Sequence, residues 1–306
     1  MMKINYGYQI TLNDLSNLEI DIFICANNNE ARKYCLFDKI KRNNFIKKSI
    51  SLYYNNVFDS RNDLEYKQIK KHTEVERILD DEIKACKKEE LTIIVDYSCM
   101  TKSWYYTILL YLSNSDNAFK KINCYLSYTP SRFSLPLAPK PNSDISPLPG
   151  KIIMPNNRPK ALILGLGYEE NKAQGIIDQI DPAKIFLLYS KPTIDKRFTE
   201  AIEINNANVI NDFEETTYTY DFSSLLDIEN KLRAIYYKYN TEYNIIISPI
   251  GPKPFTLVSM ILSIIFPEIE IWRIGSGEDI NPYPREPFNE DHFIICEIVY
   301  KQNQIT

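Results

Sequence analysis

The sequence predicts an α/β protein of two tandem Rossmann-like domains, each a doubly wound parallel sheet, joined by a Pro-rich connector. Three observations predict it. Short apolar runs alternate with segments whose apolar residues recur every three to four positions, the pattern of strands alternating with helices. Eight of the 17 prolines fall between Pro130 and Pro159, a density that no element interior tolerates. Composition changes across that stretch. Seven of the eight glycines begin at Gly150, and the charge moves from 21 Lys plus Arg against 18 Asp plus Glu in residues 1–150 to 15 against 22 beyond. The expected divisions are a domain over 1–130, a connector over 131–159 and a second domain over 160–306.

In the first domain DIFICA (21–26) reads as a strand, followed by a helix and by SLYY (51–54) as a second strand. Thr73 and Glu76 have capping-box spacing before a helix that runs to about Lys88. TIIVDY (92–97) is a strand, SWYYTILLYL (103–112) a helix and KINCYLSY (121–128) a strand. In the second domain ALILGL (161–166) is a buried strand. Ala173, Ile176, Ile177 and Ile180 share one helical face, and Asp181-Pro182 ends that helix. IFLLY (185–189) is a strand, and residues 195–204 and 222–239 are helices. NIIIS (244–248), FTLVSMILSIIF (255–266) and EIEIWRI (268–274) read as strand, buried helix and strand. HFIICEIVY (292–300) alternates and is expected to close the second domain as an edge strand.

Bulk chemistry narrows the function. Thirty-six Lys plus Arg against 40 Asp plus Glu give a net charge of −4, which speaks against a nucleic-acid-coating role. Six scattered cysteines without CxxC spacing predict free thiols, a reducing cytoplasm and no metal site. The start, MMKINYGYQITLND, has no apolar signal core, and the longest apolar run has 12 residues. A transmembrane helix needs about 20, so no membrane partner is expected. The 22 tyrosines accompany abundant Ile, Asn and Lys, a bias expected of AT-rich codons rather than of a stacking surface. His72 and His292 are the only histidines; His72 is read as solvated.

A weak internal repeat locates the ligand loops. IIVDYSCMTKSWYYTILL (93–110) matches NIIISPIGPKPFTLVSMI (244–261), with Lys102 on Lys253 and Trp104 on Phe255. DIFICANNNEAR (21–32) matches ALILGLGYEENK (161–172), with Glu30 on Glu170 and Arg32 on Lys172. Ligands of open doubly wound sheets bind outside the carboxyl ends of the strands, where strand order reverses. In the common order that point lies between the first and fourth strands, the two strands the repeat picks out in each half.

Several residues there suit chemistry. In SPIGPKP (248–254) Ser248, Gly251 and Lys253 are read as the phosphate side, with Gly251 admitting a close backbone approach. In GLGYEENK (165–172) Gly165 and Gly167 follow the first strand, Tyr168 is a base-stacking candidate, and Glu170 and Lys172 are sugar or polar contacts. This is no dinucleotide fingerprint, since the third glycine would fall on Glu170, and no cofactor is expected. In DYSCMTKSWYY (96–106) Asp96 ends a buried strand, and Ser98, Thr101 and Lys102 are ligand candidates. Cys99 lacks a sequence-neighbouring histidine, and Trp104 is read as core. ARKYCLFDKIKRNNFIKK (31–48) holds seven Lys plus Arg and is read as a solvated helix face. GSGEDINPYPREPFNEDH (275–292) reads as a lid, with Glu278, Asp279 and Arg285 as contacts.

On these residues the second domain resembles CARF-type Rossmann-like domains, which sense cyclic oligoadenylates in CRISPR defence. SPIGPK stands where that family often has a Ser/Thr-Gly-Gly-Thr-Lys pattern, and the likeness covers about 161–273. The chain departs from it with Pro249, a single Gly251 and Pro252 before the Lys. No PD-(D/E)xK strand pair and no RxxxxH is present. The resemblance implies a dimer with a nucleotide ligand across its axis.

Three functions remain open. The first is binding or sensing of a nucleotide-like small molecule, by a homodimer or with a partner protein, in bacterial antiviral defence. The second is an enzyme acting on nucleotides or nucleotide-sugars between the domains, with Asp96, Glu30 and Glu170 as acid/base candidates. The third is a non-catalytic scaffold that offers the basic 31–48 face to a partner.

Overall fold

The computed structural model of the chain describes residues 2–114, 119–136, 144–151, 153–154, 156–169, 172–275 and 284–302. The chain forms two compact units, one of residues 1–132 with 282–306, the other of residues 133–281.

The first unit contains β1 (Met2–Ile10), β2 (Glu19–Asn27), α1 (Cys35–Ile40), β3 (Phe45–Tyr53), β4 (Glu65–Gln68), α2 (His72–Ala85), β5 (Glu90–Asp96), α3 (Lys102–Asn114) and β6 (Lys121–Tyr128). The second contains β7 (Asp144–Pro147), β8 (Lys160–Gly165), α4 (Lys172–Ile180), β9 (Lys184–Ser190), α5 (Lys196–Asn205), α6 (Ala207–Asp212), β10 (Thr217–Tyr220), α7 (Leu225–Tyr239), β11 (Asn244–Pro249), α8 (Lys253–Ile265) and β12 (Glu270–Gly275). The chain then returns to the first unit as β13 (Ile294–Gln302).

The first sheet runs β1-β13-β6-β5-β2-β3-β4 and the second β10-β9-β8-β11-β12-β7. Within each, five strands are mutually parallel. Numbered in chain order, both parallel sets read 3-2-1-4-5. An antiparallel strand flanks the fifth in both sheets, β13 beside β6 and β7 beside β12. The repeat read from sequence therefore coincides with a repeated topology. Strand order reverses between β2 and β5 in one unit and between β8 and β11 in the other.

The parallel strands are apolar because both faces are covered. Ile20, Ile22, Phe23, Ile24 and Cys25 of β2 are all buried, as are Ala161, Leu162, Ile163 and Leu164 of β8. Each such large side chain stabilises the fold by about 1.5–3 kcal/mol. Ala173, Ile176 and Ile180 of α4 pack on β8 and β9 through Leu162, Leu164 and Leu187. The stripe expected from sequence is thus the buried face, with Ile177 at its margin.

Several expectations are corrected. The closing strand, expected at an edge of the second sheet, lies inside the first sheet between β1 and β6. Its residues Ile294 to Tyr300 are all buried, so it needs a sheet with both faces covered and a partner on each side. The Pro-rich connector contains β7, paired with β12. A short edge strand ending in Pro147 loses no ladder bond to the missing N–H. The capping box expected at Thr73 and Glu76 is displaced. The helix begins at His72, and Glu74 accepts from the Lys70 and Lys71 N–H groups at 2.6 and 3.0 Å.

The basic stretch 31–48 is not a solvated helix face. Arg32 and Lys33 are buried, and residues from Phe45 onward form β3. Four of its other five cations, Lys39, Lys41, Lys47 and Lys48, meet carboxylates, and Arg42 is exposed with no ion pair among the described residues. Lys47 pairs with Glu19 and Asp21, Lys48 with Glu65 and Glu82, and Lys41 with Asp38 and Asp63. The charge run of the sequence is therefore largely neutralised in the fold.

Candidate functional site

At the reversal point of the second unit, Gly165 ends β8, Gly167 lies two residues beyond it and Gly251 follows β11. A Cβ on Gly165 would lie 2.3 Å from the Phe255 ring of α8. A Cβ on Gly167 would lie 2.6 Å from Ile250 O, and one on Gly251 2.5 Å from Leu166 O. The space left by the missing side chains is filled by protein, and the two loops touch backbone to backbone. Neither loop glycine needs a left-handed conformation; among described residues Gly150 is the glycine at positive φ.

Side chains hold this arrangement. Asn206 Nδ2 donates to Gly167 O at 2.9 Å and Asn205 Nδ2 to Tyr168 O at 2.6 Å. The Tyr168 ring joins Phe133 and Phe198, with centroids 6.4 and 5.5 Å away. Lys172 pairs with Glu169, while Glu170 lies outside the described residues. Ser248 is fully buried at the end of β11, and its Oγ has no hydrogen-bond partner among the described residues. Lys253 is the first residue of α8, half-buried. The turn before it is poor in donors. Pro249 and Pro252 in the turn, and Pro254 just after Lys253, carry no N–H, and Ile250 N donates to Ser248 O at 3.1 Å.

The first unit gathers charge at its reversal point. Asp96, 1% exposed, ends β5, and its Oδ1 accepts from Ser98 N at 3.0 Å. Ser98 Oγ in turn accepts from Thr129 N at 2.8 Å, tying the loop after β5 to the end of β6. In the loop after β2, Glu30 and Arg32 are 4% and 1% exposed and form an ion pair, Nε to Oε2, at 2.6 Å. Arg32 Nη1 donates to Thr129 O at 2.6 Å, and its Cζ lies 5.3 Å from the Tyr128 ring centroid. Burial works against the guanidinium charge, but Tyr128, Glu30 and Cys99 outweigh it and its pKa is raised. Lys33 donates to Asp59 at 2.7 Å. Glu30 is held by Arg32 and by Asn28 Nδ2, the latter at 3.3 Å.

Lys102 opens α3 as Lys253 opens α8. Thr101 is exposed, its hydroxyl 3.1 Å from that of Ser103. Cys99 is half-buried, and Trp104 is core. Arg285, expected over the second domain, belongs to the first unit. Its carbonyl accepts from Ala31 N at 3.0 Å, while Glu286 O and Phe288 N bond residues 132 and 130. The segment 285–288 thus lies across the carboxyl ends of β2 and β6. Glu278 and Asp279 lie outside the described residues.

The structure brings Asp96 and Ser98 to one reversal point with Glu30, and Ser248, Gly251 and Lys253 to the other with Gly165, Gly167 and Tyr168. Sequence reasoning missed Arg32 and Thr129 as site residues. The signal for Arg32 was its alignment with Lys172 in the repeat; Thr129 had none. Among the described residues no group of three or more His, Cys, Asp or Glu is placed to hold a metal ion, and no helix is long and apolar enough to cross a membrane.

No family model and no curated protein matches the chain. Among solved structures, it is similar to the crystal structure of an N-terminal ketoreductase from a macrolactin assembly line. Identity is 9%, coverage is 86% of this chain and 71% of that one, and the TM-score is 0.21. That likeness is too loose to carry fold or function.

Proposed function

We propose that the chain binds a nucleotide-type, phosphate-bearing small molecule at the carboxyl ends of its parallel strands. The observation that carries this reading is the repeated 3-2-1-4-5 order with a lysine at the same place in both units. Lys102 and Lys253 each open the helix that follows the fourth strand, beside the point where strand order reverses. Such crevices are where open α/β sheets take ligands, and an ammonium at a helix start suits a phosphate. The finer reading, from the SPIGPK resemblance, is a dimeric sensor of cyclic oligoadenylates in antiviral defence.

The test is mass spectrometry of whatever co-purifies with the chain, beside a thermal-shift screen of nucleotides that includes cyclic oligoadenylates. A bound nucleotide, or a shift diminished in Lys102→Ala or Lys253→Ala, supports the reading. A chain free of ligand that responds to no nucleotide refutes it. A second reading, a nucleotide-processing enzyme, is favoured by the buried Asp96 carboxylate at the end of β5. Product formation lost in Asp96→Asn would support that one.

A further inference from the structure

The first unit carries a cation whose hydrogen-bonding capacity its own fold leaves partly unused. A guanidinium has five N–H donors. At Arg32, Nε is engaged by Glu30 and Nη1 by Thr129 O. Among the described residues Nη2 has no acceptor. The side chain is 1% exposed, so an oxyanion reaching that edge would meet a charged donor with little water to compete for it. The group is also held in place. Glu30 fixes one edge, Thr129 O a second, and the Tyr128 ring lies beneath it. A guanidinium positioned in advance loses little entropy on meeting a planar or tetrahedral oxyanion.

Two further features mark the same place. The Thr129 Oγ1 just beyond β6, a hydroxyl able to donate to an oxyanion, and the Asn29 Oδ1 in the loop after β2, an acceptor suited to a ligand hydroxyl or amine rather than its phosphate, are buried and lack partners among the described residues. Both lie at the carboxyl ends of parallel strands, on either side of β5. The second unit offers less: three residues in and just after its corresponding turn lack an N–H, and its glycine spaces are filled by backbone.

We infer that Arg32 is the phosphate anchor of the first unit, its Nη2 edge receiving an oxygen of the ligand's phosphate while Glu30 holds the opposite edge. This inference rests on the nucleotide-binding reading and names the group that carries it in this unit. Asp96 at the end of β5 and Glu30 are the nearby carboxylates that the ligand's charge must tolerate, and Lys33 beside them is balanced by Asp59.

The experiment is isothermal titration of the full chain with ATP and with inorganic pyrophosphate at low ionic strength. Arg32→Lys, which keeps the charge and loses the fork, is expected to weaken binding about tenfold or more. Glu30→Gln, which removes the counter-charge but keeps an acceptor for Nε, is expected to tighten it severalfold. That second variant keeps the test decisive should Arg32→Lys fail to fold, because a purely structural Glu30 would leave affinity unchanged or lower. Wild-type affinity in both Arg32→Lys and Glu30→Gln, with loss in Lys253→Ala, overturns the inference and leaves the nucleotide-binding reading standing. Binding of neither probe, with no response to the wider nucleotide panel, overturns both.

Discussion

Replacing Gly167 or Gly251 by alanine tests whether the two loops of the second unit interlock. The added methyl at Gly167 would sit 2.6 Å from Ile250 O, and that at Gly251 2.5 Å from Leu166 O. Cβ contacts below 3.0 Å essentially never occur, so the loops must part by at least 0.4 Å in the first case and 0.5 Å in the second. Both obstacles are backbone carbonyls, which cannot rotate aside as a side chain would. Overpacking of this kind costs about 1–3 kcal/mol per site. The two methyls occupy the same seam from opposite sides, so a gap opened for one already accommodates the other. The double variant should therefore lose less stability than the sum of the singles, with a coupling of about 0.5–3 kcal/mol. Urea unfolding reads this as midpoints at constant slope, followed on the transition of the second unit. Additive losses, or a neutral Gly167→Ala, would refute the interlock and reopen the glycines as ligand-facing positions.

Gly175 lies inside α4, where Ala is the better helix former. Gly175→Ala should raise stability by about 1 kcal/mol, opposite in sign to the loop glycines, in the same unfolding assay. Lys151 Nζ donates to Ser263 O and Ile269 O at 2.6 and 2.7 Å, capping the end of α8. Burial lowers its pKa from 10.5 to about 8. The folded state therefore binds this proton less tightly than the unfolded one, and stability on its account is flat below about pH 8 and rises from there to 10.5. Lys151→Met should remove that rise and leave two carbonyls unsatisfied, seen as a lower midpoint at neutral pH. Asp21 is buried, yet its carboxyl is held below its usual range. Burial pushes it up, but the Thr92 N–H, Lys88 and Lys47 together outweigh that. Its contribution is present above pH 3.8 and lost as pH falls below, so Asp21→Asn should flatten the acid limb of the stability curve.

The parallel strands were legible because a strand covered on both faces is a continuous apolar run. DIFICA, IFLLY and NIIIS fall within strands, and TIIVDY and ALILGL overrun theirs by one residue each. The edges were not. β4 and β10 have four residues each, with tyrosine, threonine and charge in place of an apolar run, and β1 mixes asparagine, lysine and tyrosine. Such strands are specified by a neighbour's free edge, which is non-local. The loop glycines were visible as a spacing, but whether they make room for a ligand or for another loop depends on what lies opposite. Arg32 was concealed by its neighbours in sequence: amid seven cations it read as solvent-facing, and only the fold shows that it lies against Glu30, Thr129 and Tyr128.

The course of the chain has a consequence for synthesis. β1 is made before the second unit, yet its strand partner, β13, is made only after it. The 149 residues from Phe133 to Asn281 are translated in between, a delay on the order of ten seconds. Throughout it β6 presents a bare edge and the nascent first sheet stays open. The second unit, whose strands are contiguous in sequence, can fold during that interval. The first is completed by β13, so a ribosome that stops before that strand leaves a chain that displays an unpaired strand edge.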